Sequence, residues 1–414
     1  MTSRTDVIII GAGQAGLAMS HCLGRCGIDH VVLERGVIGQ RWRDERWDSL
    51  HLLTPNRLTR LPGRAGTDRD PDGFMHKSAV VTMLEAYGAA SAAPVVTGAE
   101  VFSVAPCAGG FAIVTGRGTW RARCVVVASG ACDRPRVPGF AAALDTSIAQ
   151  ITPSTYKSPR QVAAGGVLVV GASATGVQLA DELARAGREV TLAVGSHVPL
   201  PRRYRARDIM GWLDACGFLD DPRRRDVPQA RTARHPSFQL VGGPEPRTLD
   251  LGALAASGVR LAGRALSGAG RRISFAGDLA TSVAAAELRR TRLLDRIDGF
   301  IAGQGLDAPA AHRPAPLTVP AIAAEIDLVR AGVRSVIWAT GYRRAYPWLD
   351  APVFDAHGEI RQRGGVTPVP GLFTLGLPFM RHRNSTFIDG VGRDADFIST
   401  RIARHLGHIA SRAA

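Results

Sequence analysis

The stretch Val7-Ile-Ile-Ile-Gly-Ala-Gly-Gln-Ala-Gly16 decides the fold class. Residues 6–10 read as a short apolar strand. Gly11-x-Gly13-x-x-Gly16 follows without a spacer, residues 17–25 have helical spacing closed by Gly27, and His30-Val-Val-Leu-Glu34 is a second strand. Strand, turn, helix and strand make a βαβ unit in which each glycine has its own task. Gly11 permits the tight turn, Gly13 lets the backbone approach a pyrophosphate, and Gly16 lets helix and strand pack closely. The helix N-terminus then offers unpaired N–H groups to the phosphates. Glu34 stands 23 residues after Gly11, where a carboxylate accepts hydrogen bonds from a ribose diol.

The pattern recurs once, 160 residues later. Val167-Leu-Val-Val170 is the strand, Gly171-Ala-Ser-Ala-Thr-Gly176 the turn, residues 177–186 the helix, and residues 190–194 the next strand. Ser173 replaces the middle glycine. Gly171, Ser173, Thr175 and Gly176 are expected to line a second dinucleotide. The position matching Glu34 is Val194, followed by Gly195-Ser-His197, so no acid is present to hold a bare 2′-hydroxyl or to repel a 2′-phosphate. Arg202, Arg203, Arg205 and Arg207 come next. NADPH is therefore expected over NADH, with Arg202 or Arg203 pairing the phosphate. The same arginines also read as a solvated basic loop. Two dinucleotide sites in one chain suggest FAD in the first and NADPH in the second. Hydride then moves from nicotinamide to flavin, and a further acceptor takes the electrons.

The rest of the chain narrows the alternatives. Its 414 residues, 45% hydrophobic and 21% charged, fit two or three globular domains and exclude a disordered chain. No apolar run has the length of a membrane span, and the start lacks the pattern of a signal peptide, so a cytoplasmic enzyme is expected. The net charge of +15 is not read as a nucleic-acid footprint. Lys77 and Lys157 are the only lysines, so 49 of the 51 basic residues are Arg, a bias that a GC-rich genome produces. The six cysteines show no CxxC and no metal-ligand spacing, which removes dithiol and metal chemistry; Cys22 and Cys26 read as small buried residues on one helix face. Residues 36–78 and 196–250 look irregular. Residues 80–90, 279–301 and 394–410 look helical, residues 312–320 resemble a linker, and residues 100–104, 111–115, 120–128, 335–339 and 372–375 look like strands.

With both turns in place, the chain resembles the two-dinucleotide-domain flavoproteins, and within them the flavin-containing monooxygenase-like (class B) group. The resemblance rests on both turns and on Gly39-Gln-Arg-Trp42, Arg46-Trp-Asp-Ser-Leu-His-Leu-Leu-Thr-Pro55, Ala128-Ser-Gly130, Ala339-Thr-Gly-Tyr342 and Pro370-Gly-Leu-Phe-Thr-Leu-Gly-Leu-Pro378. It implies an α/β fold of two Rossmann-like dinucleotide-binding domains. The FAD domain is discontinuous (residues 1–160 and 320–414) and the NADPH domain (161–319) is inserted, with crossings at Ala128-Ser-Gly130 and Ala339-Thr-Gly341.

The resemblance also implies FAD contacts from Gly11, Gly13, Gln14, Gly16, Glu34, Arg35, Trp42 and Thr54. Asp389 is implied as well, just before a last helix whose positive end faces the flavin. Trp42 and Trp47 also read as core aromatics, and Asp389 and Asp394 as helix caps. The implied activity is an FAD-dependent, NADPH-consuming monooxygenase that passes one oxygen atom of O2, through a (hydro)peroxyflavin, to a small organic substrate. No protein acid or base is singled out as catalytic. Phe74, Met75, Phe379 and Met380 are apolar pocket candidates that read first as core packing, and His382 and Arg383 are polar candidates. Of the family's inter-domain signature of Phe, Gly, His and Tyr or Trp, Tyr156 has a counterpart, whereas Thr152 stands at the His position. An NADPH oxidase, or a reductase with another acceptor, is the alternative. A basic binding protein on the same scaffold is the reading from another class. The oligomeric state is left open.

Overall fold

A computed structural model describes residues 2–66, 70–222, 236–319 and 323–408. Strand Thr2–Ile10 runs into the first glycine turn and lies parallel to His30–Leu33 on one side and Gly118–Val127 on the other. The sheet order is Val95–Val96, His30–Leu33, Thr2–Ile10, Gly118–Val127, Gly110–Thr115, Val101–Cys107. Leu372–Thr374 joins it in parallel beside Val125–Val127. Val7, Ile8 and Ile9 are all buried because both faces of this sheet are covered. The two-residue alternation sends Val7 and Ile9 to a core shared with helices Gln14–Arg25, Lys77–Ala90 and Val391–His405. It sends Ile8 and Ile10 to the opposite core, under the antiparallel pair Val101–Cys107 and Gly110–Thr115. The last helix starts at Val391, ahead of the expected residue 394, and residues 409–410 of the expected span lie outside the described residues.

The second sheet is parallel throughout, in the order Arg260–Ala262, Val190–Ala193, Gly166–Val170, Val333–Trp338, Ala149–Ile151. Helices Ala174–Arg185 and Leu251–Ala256 cover Val167, Val169 and Leu192 on one face. Ile273, Phe275 and Leu328 cover Leu168, Val170 and Trp338 on the other. This corrects the boundaries at residues 160 and 320. Ser335 is in register with both Ala149 and Val167, so the strands on either side of those boundaries belong to the inserted sheet. The domain changes fall instead at the two Ala-Ser/Thr-Gly segments. There the outgoing and returning chains run side by side: Tyr342–Arg343 pairs with Arg134–Pro135, and the Arg136 N–H donates to the Gly341 carbonyl at 2.8 Å.

The excursion after the second strand supplies core residues, as one reading of Trp47 expected, and one further correction concerns the insertion after Val194. Trp47 and Leu50, from the excursion after the second strand, pack into the core of the inserted domain. The insertion after Val194 contains helix Ile209–Ala215, capped by Asp208, whose carboxylate accepts from the Met210 N–H at 2.9 Å. Leu200, Ile209, Leu213 and Leu240 form a small core with Leu294, Ile297 and Ile301 of the long helix Leu279–Gly303. Residues 223–235 of that insertion lie outside the described residues.

Candidate active site at the two glycine turns

The two turns are built alike. Gly11 has φ +109°, and a Cβ there would lie 2.7 Å from the Ala128 carbonyl oxygen; Gly171 has φ +110°, and a Cβ would lie 2.4 Å from that of Ala339. A side chain at Gly16 would meet the Gly11 carbonyl oxygen at 1.8 Å, and one at Gly176 the Gly171 carbonyl oxygen at 1.7 Å. The crossing segments and the glycine turns are therefore one structural unit: each crossing strand presses its last alanine against the first glycine of a turn. Gly13 differs. A Cβ there would meet no atom within 4 Å, so the space above it is open on the side from which a phosphate approaches. Gly13 and Ser173 are the N-caps of the two helices, and neither makes a side-chain cap bond. The first-turn N–H groups of both helices are thus offered to an anion.

Glu34 is 8% exposed. Its Oε2 accepts from the Ala12 N–H at 2.8 Å and its Oε1 from the Gly36 N–H at 3.0 Å, which ties the second strand to the turn and leaves carboxylate lone pairs for a ribose. Gln14 Nε2 lies 3.5 Å from the Thr386 carbonyl oxygen, bringing the loop before the C-terminal helix to the start of the first helix. Gly390 caps that C-terminal helix without a side-chain bond. Trp42 packs against the cores of both domains, under the Arg46 guanidinium at 5.5 Å. Thr54 is half-buried, next to Leu53. Arg35 points to the surface and pairs with Glu45 at 3.2 Å. These residues fit a dinucleotide: an open cradle at Gly13, two unpaired helix ends and an acid at the ribose rim.

Three expected roles change. Asp389 is not an open ligand, because Arg60 engages its Oδ1 at 2.5 Å and its Oδ2 at 2.7 Å. A carboxylate this buried needs a cation, and Arg60 supplies it. Asp394 makes no cap bond. It lies inside the first turn, fully buried, with Arg381 at 3.9 Å, and burial pushes its carboxyl above the ordinary carboxylate range. Arg202 is 1% exposed and is withdrawn from the nucleotide rim. It pairs with Asp208 at 2.7 Å, donates to the Leu53 carbonyl at 2.9 Å and lies 4.8 Å from the Phe74 ring centroid, so it straps the insertion to the excursion that follows the second strand.

The other expected residues are placed as follows. Arg203 is exposed and donates to the Ala206 carbonyl within its own hairpin. Met75 and Met380 belong to the first core. Phe379 has φ +50° and carries Arg383 over its ring at 4.9 Å, while Arg383 also lies 4.0 Å over Phe218. His382 Nδ1 lies 3.2 Å from the Asp220 carbonyl oxygen. Thr152, at the family's His position, forms a tight turn in which its hydroxyl meets those of Ser154 and Thr155. Tyr156 closes that turn and is buried in the second core.

Sequence reasoning missed Arg60 and Gln239. Gln239 is fully buried and donates to the Ala172 carbonyl of the second turn at 2.6 Å. Neither carries a local signal, because each partner is remote in sequence. Cys26, expected to be buried, is exposed. Cys22 and Cys124 are buried, and burial pushes both thiols up to about 12. Among the described residues there is no metal-ligating cluster and no helix long and apolar enough to cross a membrane.

This fold and these turns define an oxidoreductase architecture of two dinucleotide-binding-type domains. The family of pyridine nucleotide-disulphide oxidoreductases matches residues 8–207. A CzcO-like oxidoreductase of Geobacillus kaustophilus is 32% identical over 408 residues, 98% of this chain and 100% of that protein. An indole-3-pyruvate monooxygenase of Oryza sativa is 34% identical over 200 residues, covering 47% of this chain and 49% of the relative. The solved flavin-containing monooxygenase from Stenotrophomonas maltophilia superposes with TM-score 0.67 over 98% of this chain and 99% of that one, at 19% identity. The chain belongs to the CzcO-like oxidoreductases.

Proposed function

We propose that the protein is an FAD-dependent, NADPH-consuming monooxygenase acting on a small organic substrate with O2. The observation that carries this reading is the matched pair of turns, each closed by a crossing strand, on two domains joined by paired crossing segments. When bound, the flavin supplies hydride acceptance from the nicotinamide and electron delivery to O2. The chain's own residues bind, orient and exclude water. The helix starting at Gln14 and Glu34 hold the first dinucleotide, and the helix starting at Ala174 holds the second. Trp42, packed against both cores, and the Arg202 strap fix the excursion that carries Thr54.

The sequence has no CxxC pair, and burial pushes the Cys22 and Cys124 thiols up to about 12, so a dithiol route is not the reading supported. The test is to purify the protein, identify the bound flavin by its absorbance and mass, and follow NADPH consumption against sulfides, amines, ketones and phenols. Substrate-dependent NADPH use with an oxygenated product supports the proposal. Peroxide formed one-for-one with NADPH under every substrate identifies the oxidase alternative instead.

A further inference from the structure

The rim of the second turn is open. A Cβ on Gly195 would meet no atom within 4 Å, Ser196 is exposed, and no acid follows Val194. The two arginines that the sequence offers to this rim are engaged elsewhere: Arg202 is buried against Asp208, and Arg203 turns back on the Ala206 carbonyl. A different cation stands beside it. Arg289, on helix Leu279–Gly303, donates from Nη1 to the His197 carbonyl at 3.1 Å, while His197 Nδ1 bonds the Gly195 carbonyl oxygen at 2.9 Å. The guanidinium is therefore fixed beside the loop where the second ribose is expected.

Arg289 is exposed, and no carboxylate among the described residues pairs with it. Other arginines of this domain differ. Arg290 is buried with Glu287 at 3.7 Å, Arg264 pairs with Asp278 at 3.2 Å, and Arg247 is bound to Asp181. The helix is rigidly seated through buried Leu279, Val283 and Ala286 on the next turns toward its start. A guanidinium has five donors, and only one of these is spent on His197. The Ser196 hydroxyl makes no bond within the described chain and lies in the same loop.

We propose that Arg289, with Ser196, is the receptor for the 2′-phosphate of the nicotinamide nucleotide, so that a long-helix arginine sets NADPH preference in place of the loop arginines. The inference rests on the second turn being a nucleotide site, as proposed above.

The test is equilibrium binding of adenosine 2′,5′-bisphosphate and of 5′-AMP to the flavin-loaded full chain, by calorimetry. In Arg289→Ala the bisphosphate weakens about ten- to a hundredfold, as a lost charge-assisted contact predicts, and 5′-AMP changes less than about twofold. Arg289→Lys retains part of the preference, and Arg203→Ala retains all of it. Unchanged bisphosphate binding in Arg289→Ala overturns the inference. So does an equal loss of both probes, which marks a merely structural role. A parent protein that binds both probes equally contradicts the 2′-phosphate receptor but keeps the nucleotide site. One that binds neither contradicts the proposed function as well.

Discussion

Gln14 donates from Nε2 to the Thr386 carbonyl, 3.5 Å away across 372 positions of sequence. The bond joins the first turn of the first helix to the loop that leads into the last one. Both helices begin without a side-chain cap, at Gly13 and Gly390. Two positive helix ends are thus joined, and in the proposed function they face the negative charge of reduced flavin and its phosphates.

The glycines of the first turn should separate binding from folding. Gly13 has φ −86° and open space around it, so Gly13→Val folds but fills the phosphate approach. Flavin retention should weaken at least about tenfold, while circular dichroism matches the parent. Gly16→Val puts a side chain into the Gly11 carbonyl oxygen and should give no folded protein. Full flavin content in folded Gly13→Val would refute the site.

Arg202 should act on stability and not on nucleotide choice. Arg202→Ala leaves the Asp208 carboxylate buried without its cation and removes the donor to Leu53. Loss of one partner of a buried pair costs about 3–5 kcal/mol. Chemical denaturation should show that loss, and the ratio of NADPH to NADH affinity should stay at the parent value.

Asp394 should make stability pH-dependent in a defined direction. Burial raises its folded carboxyl pKa above the unfolded value, so the folded state resists ionisation. The contribution is fully present below the unfolded pKa and is lost as pH rises toward and through the folded one. Asp394→Asn, which stays neutral, should be more stable than the parent at neutral pH, with the difference closing in acid. Denaturation midpoints across that range check it. A parent stability that climbs with pH relative to the variant would contradict the assignment.

Thiol labelling should follow burial. Cys26 is exposed and should react with an aromatic disulfide reagent in the native protein. Cys22 and Cys124, pushed up to about 12, should react only after unfolding. Labelling Cys26 should leave NADPH consumption unchanged, and loss of activity on labelling would bring back thiol chemistry.

Much of this architecture was legible because it is local. Gly11, Gly16 and Glu34 sit in one contiguous βαβ stretch, and their steric tasks follow from spacing alone. The same holds for Gly171 and Gly176. What escaped the sequence depended on distant partners. Arg202 reads as a free rim cation until Asp208, Leu53 and Phe74 are seen to enclose it. Asp389 reads as a ligand until Arg60 is found against it. The boundaries near residues 160 and 320 failed because short strands such as Ala149–Ile151 have no periodicity of their own and are defined by register with Val333–Trp338.

In the proposed reaction, reducing equivalents from NADPH place one oxygen atom of O2 in an organic product. Turnover of the flavin-loaded protein with NADPH, isotopically labelled dioxygen and the substrate found by screening tests it most directly. One labelled oxygen atom in product for each NADPH consumed is the expected result. Stoichiometric labelled peroxide with unlabelled product, or product oxygen drawn from water, would contradict it.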